Sequence, residues 1–337
     1  MKNKGKVSLT DLGQKVFKIK DEPMPRGAWW WWFWLFFIDN PKNPDKPRQL
    51  MILWSAKNTK EIQCNHLKLR LDTSRSRDNL DGAVAAWYFD GEKMHHNFLL
   101  EQCNLRITDN ELSSDSTEPT SFSVDGATSK VKIGKDFEFV AKPRRGHSFT
   151  TPTYYPHTYV GGLGYSILRL NNSNLTGRIK GEPIQGTAYF QRVFVNAPAV
   201  PWYWGVFHFE KGAVLTYFRP YLLGKPLKKE ISLFDGKETH MFKDIKIKKS
   251  GRDTPGFTVS GENKNEKIKF TVASYSHSSW RFRKKSFGFV PTSLTYNEYP
   301  STISELELVD KRTGGVIGLH ELGRSVGNAE HTTGLLL

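Results

Sequence analysis

The stretch Trp29–Ile38 (WWWWFWLFFI) constrains the chain more than any other. As a strand it places Trp30, Trp32 and Trp34 on one face and Trp29, Trp31 and Phe33 on the other, because side chains alternate with period two. Neither face tolerates water, so the segment is predicted to be a strand covered on both sides. The uncharged run Ala28–Ile38 is far short of the ~20 residues that a membrane-spanning helix needs. Asp39-Asn40-Pro41 follows it, where a secretory signal would carry a small-residue cleavage site. Leu50–Ala56 is expected to return antiparallel across a loop held open by Pro41, Pro44 and Pro47.

Turn signals recur at short intervals along the chain, and long helical stripes are scarce. Hairpins are predicted at Asp90-Gly91, Asp125-Gly126, Lys211-Gly212 and Asp235-Gly236, each flanked by β-prone residues. Phe257–Ser260, Lys267–Ser274, Ser304–Val309 and Gly315–Leu322 also read as strands, and a short helix is expected after Ser8. This pattern predicts a mainly β protein built of barrels or sandwiches. The 337 residues exceed the roughly 250–300 at which one core stops growing, so two domains are expected. The polar Asn171–Asn174 stretch sets the boundary near Lys180, giving domains of 1–180 and 181–337. Phe89-Asp90-Gly91 has a counterpart in Phe234-Asp235-Gly236, a hint of internal duplication. The 10 Trp, 12 Tyr and 22 Phe suit both large cores and ligand cavities.

The net charge is +15, and between Lys243 and Lys285 there are 12 basic and 4 acidic residues. Alternation there, as in Lys246-Ile247-Lys248 and Trp280-Arg281-Phe282-Arg283, predicts an apolar face backed by a cationic one. That cationic face is either solvated or drawn to an anionic membrane surface. No nucleic-acid recognition motif accompanies the charge, so no nucleic-acid partner is expected. Two cysteines, Cys64 and Cys103, allow no disulfide framework and suit a reducing compartment. Met1-Lys2-Asn3-Lys4 is followed by no apolar stretch before Ala28, and a cytoplasmic location is expected. His320-Glu321 lacks the second histidine of a zinc-protease motif. Gly161, Gly162 and Gly164 lack dinucleotide-site spacing. With no phosphate loop and no nucleophile elbow either, neither cofactor nor metal is expected.

Three segments carry the most specific text: Gly186-Thr-Ala-Tyr-Phe-Gln191-Arg192, Pro201-Trp202-Tyr-Trp204-Gly205, and Gly212-Ala-Val-Leu-Thr-Tyr217. Together they resemble the two-lobed lipocalin-like family that contains carotenoid 1,2-hydratase (hydroxyneurosporene synthase), the AttH-like proteins and fungal Diels–Alderases. The Trp29–Trp32 run looks like that family's opening segment, and Gly318-Leu-His320-Glu321-Leu-Gly323 looks like its closing glycine-rich strand. The resemblance implies two lipocalin-like antiparallel β-barrel lobes packed side by side. It also implies cofactor-independent chemistry on a hydrophobic, isoprenoid-like substrate. Where hydratase-like members carry an acid, this chain has Gln191.

Hydration or cyclisation of an alkene begins with a proton on carbon. That requires a protonated carboxyl in an apolar setting and aromatic faces against the developing cation. Glu321, inside Val316-Ile-Gly-Leu-His-Glu-Leu, is the first candidate for that acid, unless its strand turns it to solvent. Glu330-His331 is a second, as an acid–base pair or as plain surface. Tyr189 and Gln191 share a strand face and are expected to supply hydrogen bonds. Trp30, Trp32, Trp34, Trp202, Trp204, His208, Tyr217, Arg219 and His320 are candidates for lining the substrate site, although most of the tryptophans are expected to fill core. The rival reading is a non-catalytic carrier of a lipid, isoprenoid or pigment.

Overall fold

The computed structural model describes residues 5–6, 12–17, 24–71, 79–144, 153–158, 163–286 and 289–336. Met1–Lys4, Ser8, Gly161 and Gly162, all named above, lie outside them. Strand makes up 69% of the chain and helix 3%, so the molecule is mainly β and two-lobed, as expected. One compact unit comprises Met1–Pro44 and Arg48–Pro198, and the other Asp45–Pro47 and Ala199–Leu336. The division thus falls near Pro198, not at Lys180. Lys180 and Gly181 instead form a tight turn, with φ of 50° and 84°, between the long strands Gly164–Ile179 and Glu182–Asn196. Asn171, Asn172 and Ser173, read as linker, are buried within the first of these at a break in its register. Their polarity marks an irregular strand rather than a boundary.

The first unit is a closed antiparallel barrel of ten strands. Around the barrel they run Trp29–Ile38, Arg48–Lys57, Asn79–Phe89, Met94–Ile107, Glu111–Ser114, Thr120–Asp125, Thr128–Ile133, Phe137–Pro143, Gly164–Ile179 and Glu182–Asn196. The last pairs with the first, Phe190 opposite Trp34, which closes the ring, and Thr153–Thr158 and then Gly5–Lys6 add to it along the first half of Gly164–Ile179. Trp30, Trp32, Trp34 and Phe36 point into the barrel and belong to its core, while Phe33, Leu35 and Phe37 on the opposite face are also at most 2% exposed. Inside, Trp34 stacks on Phe36 at 5.4 Å and meets Phe122 edge-on at 5.3 Å and Phe190 at 4.7 Å. The tryptophan stripe is therefore core, and Trp30, Trp32 and Trp34 are not left facing a ligand.

The helix Leu12–Phe17 closes one end of this barrel. Leu12, Val16 and Phe17 join the core, and Trp32 Nε1 donates to the Val16 carbonyl at 2.9 Å. The Arg192 guanidinium donates to the carbonyls of Lys15 and Val16 and lies 4.4 Å over the Trp30 ring. A helix C-terminus presents carbonyls with no partner of their own, and a cation is the natural group to satisfy them.

The second unit is one rolled antiparallel sheet. Its main path runs Thr239–Phe242, Glu230–Phe234, Val214–Leu222, Trp202–Phe209, Ser325–Leu335, Val290–Asp310, Glu266–Ser274, Gly256–Glu262 and Asp244–Ser250. Its inward residues, among them Phe207, Leu215, Tyr217, Ile231, Phe242, Ile245, Phe257, Phe270 and Ala329, form a single core. All four predicted Gly turns close hairpins. Gly205 is bare because a Cβ there would lie 2.5 Å from the Tyr217 ring, which crosses it. Gly315–Leu322 departs from expectation, since only Val316–Gly318 is strand and Leu319–Leu322 forms a helical turn. Lys246, Lys248, Lys267, Lys269, Arg281 and Arg283 are exposed, as the alternation between Lys243 and Lys285 predicts. No helix among the described residues is long and apolar enough to cross a membrane.

Candidate active site

Strand alternation sorts the candidates of the second unit onto two faces. Ala329 lies in the inner core, so its neighbour Glu330 points outward and His331 inward. They are therefore not a contacting acid–base pair, although both are buried, at 2% and 8% exposure. Trp202, Trp204 and His208 share the outward face with Glu330, whereas Tyr203, Tyr217 and Arg219 share the inward face with His331. One substrate therefore cannot touch all of the residues proposed in this unit.

On the outward face, Glu330 is held from both sides. Trp202 Nε1 donates to Oε2 at 3.0 Å, and the Tyr296 hydroxyl donates to Oε1 at 2.5 Å. The two rings meet edge-on at 5.5 Å. Thr332 fixes Trp202 by accepting from its backbone N–H at 2.6 Å. Glu330 stands opposite Trp204 on one neighbouring strand and Glu298 on the other. Glu298 is fully buried and accepts from Trp280 Nε1 at 3.2 Å. Asn328, also fully buried and on the same face, makes no side-chain hydrogen bond among the described residues.

This setting controls protonation. Burial pushes the Glu330 carboxyl up to about 7, against the opposing pull of the hydrogen bonds from Tyr296 and Trp202. A second buried carboxyl directly opposite adds a reason for at least one of the two to hold a proton, since like charges facing each other across a ladder repel. The result is a carboxyl part-protonated at neutral pH, flanked by indole and phenol rings. Proton transfer in an apolar site needs such a group.

The residue expected to play this part, Glu321, lies elsewhere. Its carboxylate caps the helical turn Leu319–Leu322, accepting from the Gly318 N–H at 2.8 Å. That bond holds its pKa below the usual carboxylate range, and the side chain is half exposed. His320 beside it is 97% exposed. Neither is a buried acid nor lines an apolar site. In the first unit Tyr189 and Gln191 do share a face, as expected, and the Tyr189 hydroxyl donates to Gln191 Oε1 at 3.1 Å.

The Phe-Asp-Gly turns relate the two units strand by strand. Phe89 pairs with Gln49 and Gln49 with Phe37; Phe234 pairs with Val214 and Val214 with His208. Four residues before Phe37 and His208 stand Phe33 and Trp204, which pair with Gln191 and Glu330. Gln191 is thus the counterpart of Glu330, and Arg192 of His331. The likeness extends to the turns, where Asp90 and Asp235 each accept two backbone N–H groups and face His95 and His240. Asp235, Glu238 and His240 could in principle ligate a metal. The His240 ring, however, is already held by Glu266 at 2.6 Å, and the shared turn architecture accounts for Asp235.

Fold and site together define a two-lobed, mainly β protein with a buried carboxyl on the outward face of its second sheet. Among solved structures the chain is similar to a protein assigned as an AttH from Nitrosomonas europaea, with a TM-score of 0.54 and 13% identity over 91% of this chain and 92% of that one. It is also similar to CghA with Sch210972, with a TM-score of 0.45 and 10% identity over 93% and 89% of the two chains. No protein-family model and no curated protein sequence matches it. At this identity the first likeness establishes fold alone: the chain has the fold of that protein.

Proposed function

We propose that the protein is a cofactor-independent enzyme acting on a hydrophobic, isoprenoid-like substrate by hydration or cyclisation at an alkene, with Glu330 as the acid. The observation that carries this reading is the Glu330 carboxyl, buried, raised to about 7, and held between Trp202 and Tyr296. A proton delivered from it to an alkene carbon leaves a cation, which the faces of Trp202, Trp204 and Tyr296 stabilise by about 0.5–2 kcal/mol each. The sequence resemblance to the carotenoid hydratase family supports the substrate class. A carrier of a lipid, isoprenoid or pigment is the second reading, supported by the breadth of the same aromatic face. It needs no acid.

The test is incubation with acyclic isoprenoids followed by mass spectrometry of the apolar extract. A product heavier by one water indicates hydration, and an isomer of equal mass indicates cyclisation. Glu330→Gln is expected to cut turnover by roughly 10²–10⁴ while substrate binding persists. In the native enzyme the rate should fall as pH rises through about 7, where the acid loses its proton. Binding without turnover in the native protein leaves the carrier reading. We also propose peripheral contact with anionic membrane through the exposed cations between Lys243 and Lys285.

A further inference from the structure

The end of the first barrel where Arg192 lies is closed by the helix Leu12–Phe17, whose carbonyls take the Arg192 donors. The counterpart end of the second sheet, around His331, is built differently. No helix among the described residues enters it, and Tyr203, Arg219, Tyr221, Lys249 and Asn297, all inward on their strands, are only partly buried or exposed there. Polar groups gather on the inward face without partners. Arg219 Nε, the Tyr217 hydroxyl and His331 Nδ1 are each shielded from water and make no hydrogen bond among the described residues. Tyr217 is 1% exposed and His331 8%.

A buried polar group left unpaired costs about 1–3 kcal/mol, so three in one place ask for an explanation. Arg219 stands opposite Tyr203 and Tyr203 opposite His331, with Tyr217 and Tyr221 on either side of Arg219 along its strand face, so these groups are neighbours on one face. Neither Arg219 nor Lys249 meets a carboxylate within ion-pair distance among the described residues. Flat rings stand around them. Tyr203 stacks on His331 at 4.3 Å with planes 8° apart and on Tyr221 at 5.6 Å, and Phe257 lies edge-on to it at 6.3 Å.

From this we infer that the end of the second sheet lined by Tyr203, Tyr217, Arg219, Tyr221, Lys249 and His331 is a binding site for a carboxylate on a flat, unsaturated apolar body. The guanidinium of Arg219 takes the carboxylate, with the Tyr217 hydroxyl as a further donor, and Lys249 at the rim adds to the attraction. The body lies among the rings of Tyr203, Tyr221 and Phe257. This site lies on the opposite face of the strand Ser325–Leu335 from Glu330 and does not depend on the acid proposed there.

The test is fluorescence titration of the full chain with parinaric acid, a conjugated fatty acid whose emission rises in apolar surroundings, against its methyl ester. The acid is expected to bind at least tenfold more tightly than the ester. Arg219→Gln should weaken the acid at least tenfold and leave the ester unchanged, and Arg219→Lys, which keeps the charge, should recover part of the loss. Circular dichroism matching the native protein establishes that the variants fold. Equal binding of acid and ester, an unchanged titration in Arg219→Gln, or no emission rise with the native chain would each overturn the assignment. Because binding is read without turnover, these outcomes are independent of the Glu330 experiment.

Discussion

The two lobes meet the same problem, what to place inside a rolled sheet, with opposite answers. In the first, rings from Trp34, Phe36, Phe122 and Phe190 fill the interior, and a helix takes up the donors of Arg192. In the second, the counterpart of Arg192 is His331, stacked on a tyrosine and left with one ring nitrogen unpaired. The outward faces differ in parallel: the first lobe carries Gln191, bonded to Tyr189, where the second carries Glu330. A strand-by-strand counterpart therefore does not preserve chemistry. The first lobe has turned its equivalents into neutral or fully satisfied structure, and the second has kept its ionisable groups in apolar surroundings.

The sharpest way to break that contrast is one substitution inside each lobe. Trp34→Ala should cost about 3–5 kcal/mol, as expected for a large aromatic in a close-packed core. Tyr217→Phe should change stability by less than about 1 kcal/mol, because it removes a hydroxyl that has no partner. Urea unfolding measures both, and a loss for Tyr217→Phe comparable to that for Trp34→Ala would show that the Tyr217 hydroxyl is bonded inside the second lobe.

A somewhat smaller effect separates the two outward faces by pH. The folded-state pKa of Glu330 lies above its ordinary value, so the stability it contributes is present below about 4.5 and is lost as pH rises through about 7. Glu330→Gln should therefore match the native protein near pH 4 and exceed its stability by up to about 3 kcal/mol at pH 8, taking 1.36 kcal/mol per unit. Gln191→Ala, at the neutral counterpart, should show no such pH-dependent difference. His331 works in the other direction: burial first, and Lys249 second, lower it to about 4. Its contribution is present above about 6.5 and is lost as pH falls through 4. Unfolding midpoints from pH 4 to 8 would expose both signs.

The smallest effect concerns the surface. Each lysine near an anionic bilayer contributes about 1 kcal/mol, and the second lobe alone carries the dense run between Lys243 and Lys285. Co-sedimentation with vesicles containing phosphatidylserine at low salt, lost at high salt and absent for neutral vesicles, is the expected result. Failure to sediment under the first condition would remove the membrane proposal.

Much of the architecture was legible because it is local. The eight aromatics of Trp29–Ile38 required two covered faces, and Asp-Gly pairs required turns with positive φ at Gly91, Gly126 and Gly236. The boundary was not legible, because buried asparagines in an irregular strand look like a linker. Glu321 misled because its apolar neighbours suggest a strand, while Gly318 lets a single helical turn begin and uses the glutamate as its cap. Glu330 and His331 were legible as residue types but not as a geometry, since adjacency in a strand means opposite faces. Tyr296, Trp280 and Glu298 left no signal, because their meeting with the Glu330 strand depends on register set across the sheet.

The first barrel closes through a continuous ladder, so its girth is fixed by hydrogen bonds in register. The second sheet begins with Thr239–Phe242 and ends with Asp244–Ser250, strands that are consecutive in the chain and joined at Lys243. Its circle is completed by a corner of covalent backbone and by contacts such as Lys229 with Asp244, not by a ladder. The second lobe is in effect a belt buckled by one bent length of chain, whereas the first is fastened by paired amides.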